Sequence, residues 1–159
     1  MIKSIDKLFL KAIDPWGKYP RLYETNDGFI TNDNWAVKKE VFDRSNLPYR
    51  DYVINKLKNR TIRALYNEIV DFRLEVFKDI QFSLPKRVRV EGKTKTVYYF
   101  DSEELRGILV LKIYADFLCA LCRSNPTLII TKDSLGKYAY FAWYEDTLIA
   151  LCAGIIENQ

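Results

Sequence analysis

The chain has 159 residues, a formal net charge of +4 and 48% hydrophobic residues, which suits one domain with an ordinary core and excludes an intrinsically disordered protein. It has no histidine, so a Ser-His-Asp triad, a Cys-His pair and a histidine-ligated metal are excluded. The first residues lack the apolar core of a signal peptide, and charged residues interrupt the apolar stretch 105–122. We therefore expect a soluble cytoplasmic protein, in the host cytoplasm if the chain is viral, with no cofactor and no metal.

One helix and three strands are predicted in the first quarter of the chain. Apolar side chains recur at helical spacing between residues 5 and 13. Asn26-Asp27-Gly28 is a strong turn signal, so we expect two strands near residues 21–25 and 29–32. A third strand is expected over residues 35–41.

Residues 48–80 are expected to form a helical insertion. Pro48 suits the first turn of a helix, and apolar residues from Ile62 to Ile80 keep the spacing of a core-facing stripe. Basic residues crowd the first half of this segment and acidic residues the second, which opposes the macrodipole of a single helix. A break near Asn59 is therefore favoured.

The second half of the chain predicts a hairpin, a long helix and three more strands. Residues 86–100 alternate about Glu91-Gly92, which is typical of a β-hairpin. Residues 101–124 are apolar on nearly all sides, and we expect one long buried helix there. The remaining strands are expected at 128–132, 138–144 and 147–155. Together, these elements predict a single α+β domain over residues 1–159, with an antiparallel sheet packed on the helix expected at 101–124.

The predicted hairpin carries a dense group of basic side chains. The group consists of Lys86, Arg87, Arg89, Lys93 and Lys95. A ribbon that projects five cations can follow a phosphate backbone, where it displaces condensed counterions. Tyr98 and Tyr99 stand near enough to stack on an unpaired base. The alternative is a soluble edge hairpin whose lysines oppose aggregation.

Two further basic stripes are candidates for contact with an anionic partner. Lys56, Arg60 and Arg63 align on one face if their segment is helical. Lys3, Lys7 and Lys11 recur every four residues on the first helix. Stripes of this kind are commonly no more than solvated faces.

Signals for catalysis are weak. Cys119 and Cys122 have the spacing of a redox or zinc half-site, but small core residues are the simpler interpretation. Glu91-Gly92-Lys93, preceded by Asp79, has the spacing found in metal-dependent nucleases, although a turn would make the side chains diverge. A magnesium-dependent nuclease is therefore a distant alternative.

Several segments resemble a single domain of the bacterial and phage DNA sliding-clamp family. The resemblance is carried by residues 27–37 after the first helix, which begin Asp27-Gly28-Phe29, by strands 128–131 and 138–143, and by the closing strand 147–155. It implies helices held against a curved antiparallel sheet, and a role in handling DNA without catalysis. It also implies that Lys7, Lys11, Lys112 and Arg123 face DNA.

Taken together, the sequence predicts a non-enzymatic binding protein of phage or mobile-element type. Its expected partner is nucleic acid or a nucleic-acid-processing protein, with homo-oligomerisation as an option. The main alternative is an interaction or inhibitor module that grips an acidic protein surface.

Overall fold

The chain folds into short helices and β-sheets, with more strand than helix. The computed structural model describes residues 5–13, 22–32, 34–45, 47, 54–56, 73–77, 85–90, 92–100, 103, 105–122, 126–132 and 139–157. Its helices are α1 (Ile5–Ile13), α2 (Lys39–Arg44) and α3 (Lys112–Leu121). Its strands are β1 (Leu22–Glu24), β2 (Phe29–Thr31), β3 (Trp35–Lys38), β4 (Ile54–Lys56), β5 (Arg73–Phe77), β6 (Lys86–Val90), β7 (Lys93–Tyr98), β8 (Ile108–Leu111), β9 (Thr127–Lys132), β10 (Ala139–Glu145), β11 (Thr147–Ala153) and β12 (Ile155–Ile156).

The described strands pair into a larger sheet and a smaller one. The larger sheet has the order β4-β1-β2-β3-β11-β10-β9-β5, and the smaller has the order β12-β8-β7-β6. The β1–β4 pair is parallel, and the other described pairs are antiparallel. Only Gly154 separates β11 from β12, so the chain passes directly from the larger sheet into the smaller one.

The main core lies between one face of the larger sheet and helices α1 and α3. The Phe117 ring of α3 lies 5.0 Å from the Trp35 ring and 5.6 Å from the Phe9 ring of α1, centre to centre. None of these three side chains is exposed to solvent. Burial of each aromatic side chain stabilises the fold by about 1.5–3 kcal/mol. Strand alternation puts Phe141 and Trp143 of β10 into the same core.

Hydrogen bonds from the β2–β3 turn close the C-terminal end of α1. The indole N–H of Trp35 and the side-chain amide of Asn32 both donate to the carbonyl oxygen of Ala12, each at 3.0 Å. That carbonyl is one of those that the last turn of a helix leaves without an internal partner. The Asn32 side-chain oxygen also accepts the backbone N–H groups of Asn34 and Trp35 at 3.0 Å, which fixes the turn.

The prediction of one long buried helix over residues 101–124 is wrong. Ile108–Leu111 form strand β8 of the smaller sheet, and α3 spans only Lys112–Leu121. Gly107 has a φ of +82°, a left-handed conformation that no helix interior accepts. All four residues of β8 are buried, and periodicity cannot distinguish a short strand buried on both faces from a buried helix.

The helical insertion predicted over residues 48–80 is also wrong where the structure describes it. Strand β4 pairs with β1, and strand β5 pairs with β9, so that they form the two edges of the larger sheet. Their hydrogen-bond partners are distant in sequence, and such tertiary pairing overrides a local helical pattern. The rest of residues 48–80 lies outside the described ranges.

The α+β class and the other predicted elements within the described ranges are confirmed. Helix α1, the β1–β2 and β6–β7 hairpins, and strands β9 to β11 lie within two residues of their predicted bounds. The strand predicted over residues 35–41 is shorter, because it ends at Lys38 and α2 begins at Lys39. Within the described residues, no helix combines the length and the apolar character needed to cross a membrane.

Candidate nucleic-acid interface

Strands β6 and β7 form a regular two-stranded ribbon that carries the five basic side chains of the predicted hairpin. Its register pairs Lys86 with Val97, Arg87 with Thr96, Val88 with Lys95, Arg89 with Thr94 and Val90 with Lys93. The turn between the strands contains Gly92 at a φ of +80°, a conformation that glycine adopts without steric cost. The guanidinium of Arg89 donates to the Gly92 carbonyl oxygen at 3.1 Å, which links the turn to the strand.

The outer part of this ribbon extends beyond strand β8, its neighbour in the smaller sheet. Strand β7 pairs with β8 only through Val97 and Tyr98. Within the described strands, residues 93–96 therefore pair with β6 alone. We call residues 87–90 and 93–96 the distal ribbon.

The distal ribbon has two chemically different faces. Residues directly opposite each other in an antiparallel pair point to the same side of the sheet. Arg87 and Arg89 therefore share a face with Thr94 and Thr96, and all four side chains are exposed. We call these four residues the arginine face. The opposite face carries Val88 and Val90, which are half-buried, together with the lysines.

Lys86 differs from the two arginines because it has intramolecular partners. Its ammonium lies 3.7 Å from a carboxylate oxygen of Glu157 and 4.8 Å from the centre of the Tyr99 ring. The ion pair is partly exposed and therefore weak. Even so, these contacts direct Lys86 toward the body of the protein, and the structure does not place all five cations on one surface.

Tyr98 is held by helix α3 next to the arginine face. Its hydroxyl donates to one carboxylate oxygen of Asp116 at 2.6 Å, and the ammonium of Lys112 binds the other oxygen. Burial, followed by the hydrogen bond to Asp116, raises the pKa of Tyr98 above its ordinary range. Tyr98 is thus a neutral donor within the fold. Tyr98 and Tyr99 are both half-buried, and a lysine already lies over one face of each ring: Lys112 at 5.8 Å from the centre of Tyr98 and Lys86 at 4.8 Å from the centre of Tyr99.

The remaining predicted binding residues do not join the ribbon on one described surface. Lys7 and Lys11 are exposed on α1. Lys56 lies in strand β4, so the helical alignment that would bring it beside Arg60 and Arg63 is wrong, and those two arginines lie outside the described residues.

The positions taken from the clamp resemblance are only partly described. Lys112 is ion-paired with Asp116, which weakens its attraction for a phosphate. Arg123 lies outside the described residues, as does Lys3, which belongs to the α1 lysine stripe and not to the clamp resemblance.

The three cysteines are thiols with raised pKa values. Burial, aided by the nearby Cys122, raises the pKa of Cys119 to about 12. Burial, aided by Glu145, raises the pKa of Cys122 to about 12 as well. Cys152 is fully buried, and its pKa lies still higher. A thiol acts as nucleophile or metal ligand in its thiolate form, so these environments suit small core residues.

The nuclease hypothesis has little to support it in the described structure. Glu91 and Asp79, its two carboxylates, lie outside the described residues. Among the residues that are described, no three cysteine, aspartate or glutamate side chains are grouped to hold a metal ion.

The threonines of the arginine face were not identified from the sequence as binding residues. The position of the Glu91-Gly92 turn was nevertheless enough to place them opposite the arginines. Counting outward from the turn pairs Arg89 with Thr94 and Arg87 with Thr96. The same count shows that no carboxylate lies directly opposite either arginine. How far the ribbon extends beyond β8 depends on which residues of β7 pair with β8, and residues 86–100 alone do not determine that pairing.

No family model, curated protein or solved structure matches this chain. The resemblance to sliding clamps therefore stays a prediction from the sequence.

Proposed function

We propose that this chain is a non-enzymatic binding protein that contacts nucleic acid through the arginine face of the distal ribbon. The main support is the exposure of Arg87 and Arg89 on one face, with threonine hydroxyls rather than carboxylates opposite them. An arginine that a neighbouring carboxylate neutralises has little attraction for a phosphate, and the register gives neither arginine such a cross-strand neighbour.

The chemistry of this face suits a phosphate backbone. Each guanidinium offers a planar set of donors that matches two phosphate oxygens. A threonine hydroxyl adds a further donor beside it. Binding of phosphates by Lys and Arg releases condensed counterions, and this release supplies most of the affinity in sequence-independent binding.

The experiment measures the affinity of fluorescent oligonucleotides as a function of salt. The logarithm of the association constant should fall linearly with the logarithm of salt concentration, with a slope of roughly 0.9 per phosphate contact. The double variant Arg87→Gln with Arg89→Gln should bind more weakly than the wild type at each salt concentration.

The matched control removes two exposed arginines elsewhere. Arg44 lies in the last turn of α2, and Arg106 lies in the turn before β8. Arg44→Gln with Arg106→Gln lowers the net charge equally and should keep the wild-type affinity at each salt concentration. Equal losses in both double variants would show that net charge, rather than the ribbon, determines binding.

A second candidate function is recognition of an acidic protein surface. Strand β6 is an outer strand of the smaller sheet, and its alternating cations would favour an acidic partner. This function is supported if polyglutamate binds through Arg87 and Arg89 while DNA and RNA oligonucleotides fail to bind at low salt.

A further inference from the structure

We infer that the nucleic acid is B-form duplex DNA, and that the distal ribbon enters its major groove with the arginine face toward the base edges. This inference rests on the proposed function and deepens it, because it names the substrate and the groove. It draws on three independent features: the shape of the ribbon, the side chains of its exposed face and the state of the neighbouring tyrosines.

The shape of the distal ribbon fits the major groove. Two paired strands lie about 4.8 Å apart, and four residues of strand span roughly 13 Å. The major groove of B-form DNA is about 12 Å wide and about 8.5 Å deep, and it admits a two-stranded ribbon. A third strand would make the element too wide, and β8 joins β7 only at Val97 and Tyr98, outside the distal ribbon.

The arginine face carries side chains that read base edges. Arginine pairs with the two acceptor atoms of guanine in the major groove, and threonine contacts either a base edge or the methyl group of thymine. The register places the two arginines on one strand and the two threonines directly opposite them on the other. Lys93 and Lys95 lie on the other face of the ribbon, which points away from the base edges.

The surrounding residues disfavour the other kinds of nucleic acid. Proteins that bind single strands stack the bases on aromatic side chains. Here a lysine already lies over one face of each neighbouring tyrosine ring, Lys112 over Tyr98 and Lys86 over Tyr99. Duplex RNA has a deep, narrow major groove that side chains cannot read, so a ribbon does not fit it.

The first test compares duplex DNA, duplex RNA and single-stranded DNA of the same sequence by fluorescence anisotropy. The wild-type protein should bind duplex DNA about tenfold more tightly than the other two, because only duplex DNA offers a groove that admits the ribbon. The variant Arg87→Lys with Arg89→Lys keeps the charge but loses the planar donor set. It should keep the salt dependence and lose most of the preference for duplex DNA.

The second test blocks one groove at a time. A DNA duplex with a bulky group on the C5 atom of its pyrimidines has an obstructed major groove, and the affinity should fall about tenfold. Netropsin fills the minor groove and should leave the affinity unchanged.

The outcomes separate this inference from the proposed function. Equal affinity for duplex RNA, or undiminished affinity for the blocked duplex, overturns the major-groove inference and leaves the binding function in place. Absence of binding to every oligonucleotide at low salt overturns both.

Discussion

Asp146 lies at the turn between β10 and β11, and the backbone conformation at this position limits which residues can replace it. Its φ is +66°, and it is the only non-glycine residue at positive φ in the described part of the chain. Glu145 and Thr147 pair on either side of it, so the turn is tight. Aspartate enters the left-handed region more readily than most residues, whereas β-branched residues do so at a high cost.

We expect Asp146→Val to lower the free energy of unfolding by about 1–2 kcal/mol, because a β-branched side chain clashes with the backbone in this conformation. Asp146→Gly should leave stability unchanged or raise it slightly. Urea denaturation measures both. Asp146→Asn is the matched control, since asparagine also tolerates positive φ. Equal stability of the valine and asparagine variants would contradict this account of the turn.

Tyr98 offers a second prediction at the scale of one residue. Tyr98→Phe keeps the ring and removes the hydroxyl that donates to Asp116. The free energy of unfolding should therefore fall by about 1 kcal/mol. The double variant Tyr98→Phe with Asp116→Asn should cost less than the sum of the two single changes, because they remove the same bond. Strict additivity in a urea-denaturation cycle would show that the bond contributes nothing to stability.

At the scale of elements, Gly154 allows β11 to continue into β12. A Cβ atom at this position would lie 2.6 Å from a carbon of the Phe141 ring and 3.0 Å from the carbonyl oxygen of Leu109. The Gly154 N–H donates to the Ala139 carbonyl oxygen at 2.7 Å, which holds the backbone close to β10. The chain therefore changes sheets at a position with no room for a side chain.

We expect Gly154→Ala to lower the free energy of unfolding by about 1–3 kcal/mol, as overpacking of a core does. The double variant with Phe141→Leu removes the ring that the new methyl group meets. It should be less destabilised than the sum of the single variants, which a urea-denaturation cycle measures. If the two changes add independently, the contact with Phe141 is not the cause.

The elements that could be predicted from the sequence are those with local signals. Asn26-Asp27-Gly28 marks the β1–β2 turn, and the apolar spacing of residues 5–13 marks α1. Strands β4 and β5 could not be predicted, because their partners β1 and β9 are far away in the chain. Strand β8 was missed because its apolar run continues directly into α3. The arginines of the ribbon were predicted, but residues 86–100 alone could not show how many residues of β7 pair with β8.

At the scale of the whole molecule, both sheets and the helices contribute to one buried core. Val97 of the smaller sheet, Phe117 of α3 and Phe141 of the larger sheet all belong to it. Cys152 lies in this core, and Cys119 and Cys122 pack at its edge. Burial disfavours the charged thiolate form of a cysteine. The free energy of unfolding should therefore depend on pH in the alkaline range, where the thiols of an unfolded chain ionise.

The sign of this linkage follows from the raised pKa values of Cys119, Cys122 and Cys152. An unfolded chain releases its thiol protons above about pH 8.5, whereas the folded chain keeps them. Stability should therefore be constant near neutral pH and fall as the pH rises from about 8.5 toward 12. In that window, each buried thiol lowers the free energy of unfolding by up to about 1.4 kcal/mol for every unit of rising pH.

Urea denaturation under reducing conditions, from about pH 7 to about pH 9, tests the linkage before most tyrosines of the unfolded chain ionise. Cys119→Ala removes one buried proton site, so its stability should fall less steeply above about pH 8.5 than that of the wild type. The difference between the two curves cancels the contributions of lysines and tyrosines, which both proteins share. Parallel curves would mean that the Cys119 thiol ionises as readily in the folded chain as in the unfolded one, and that burial does not hold its proton.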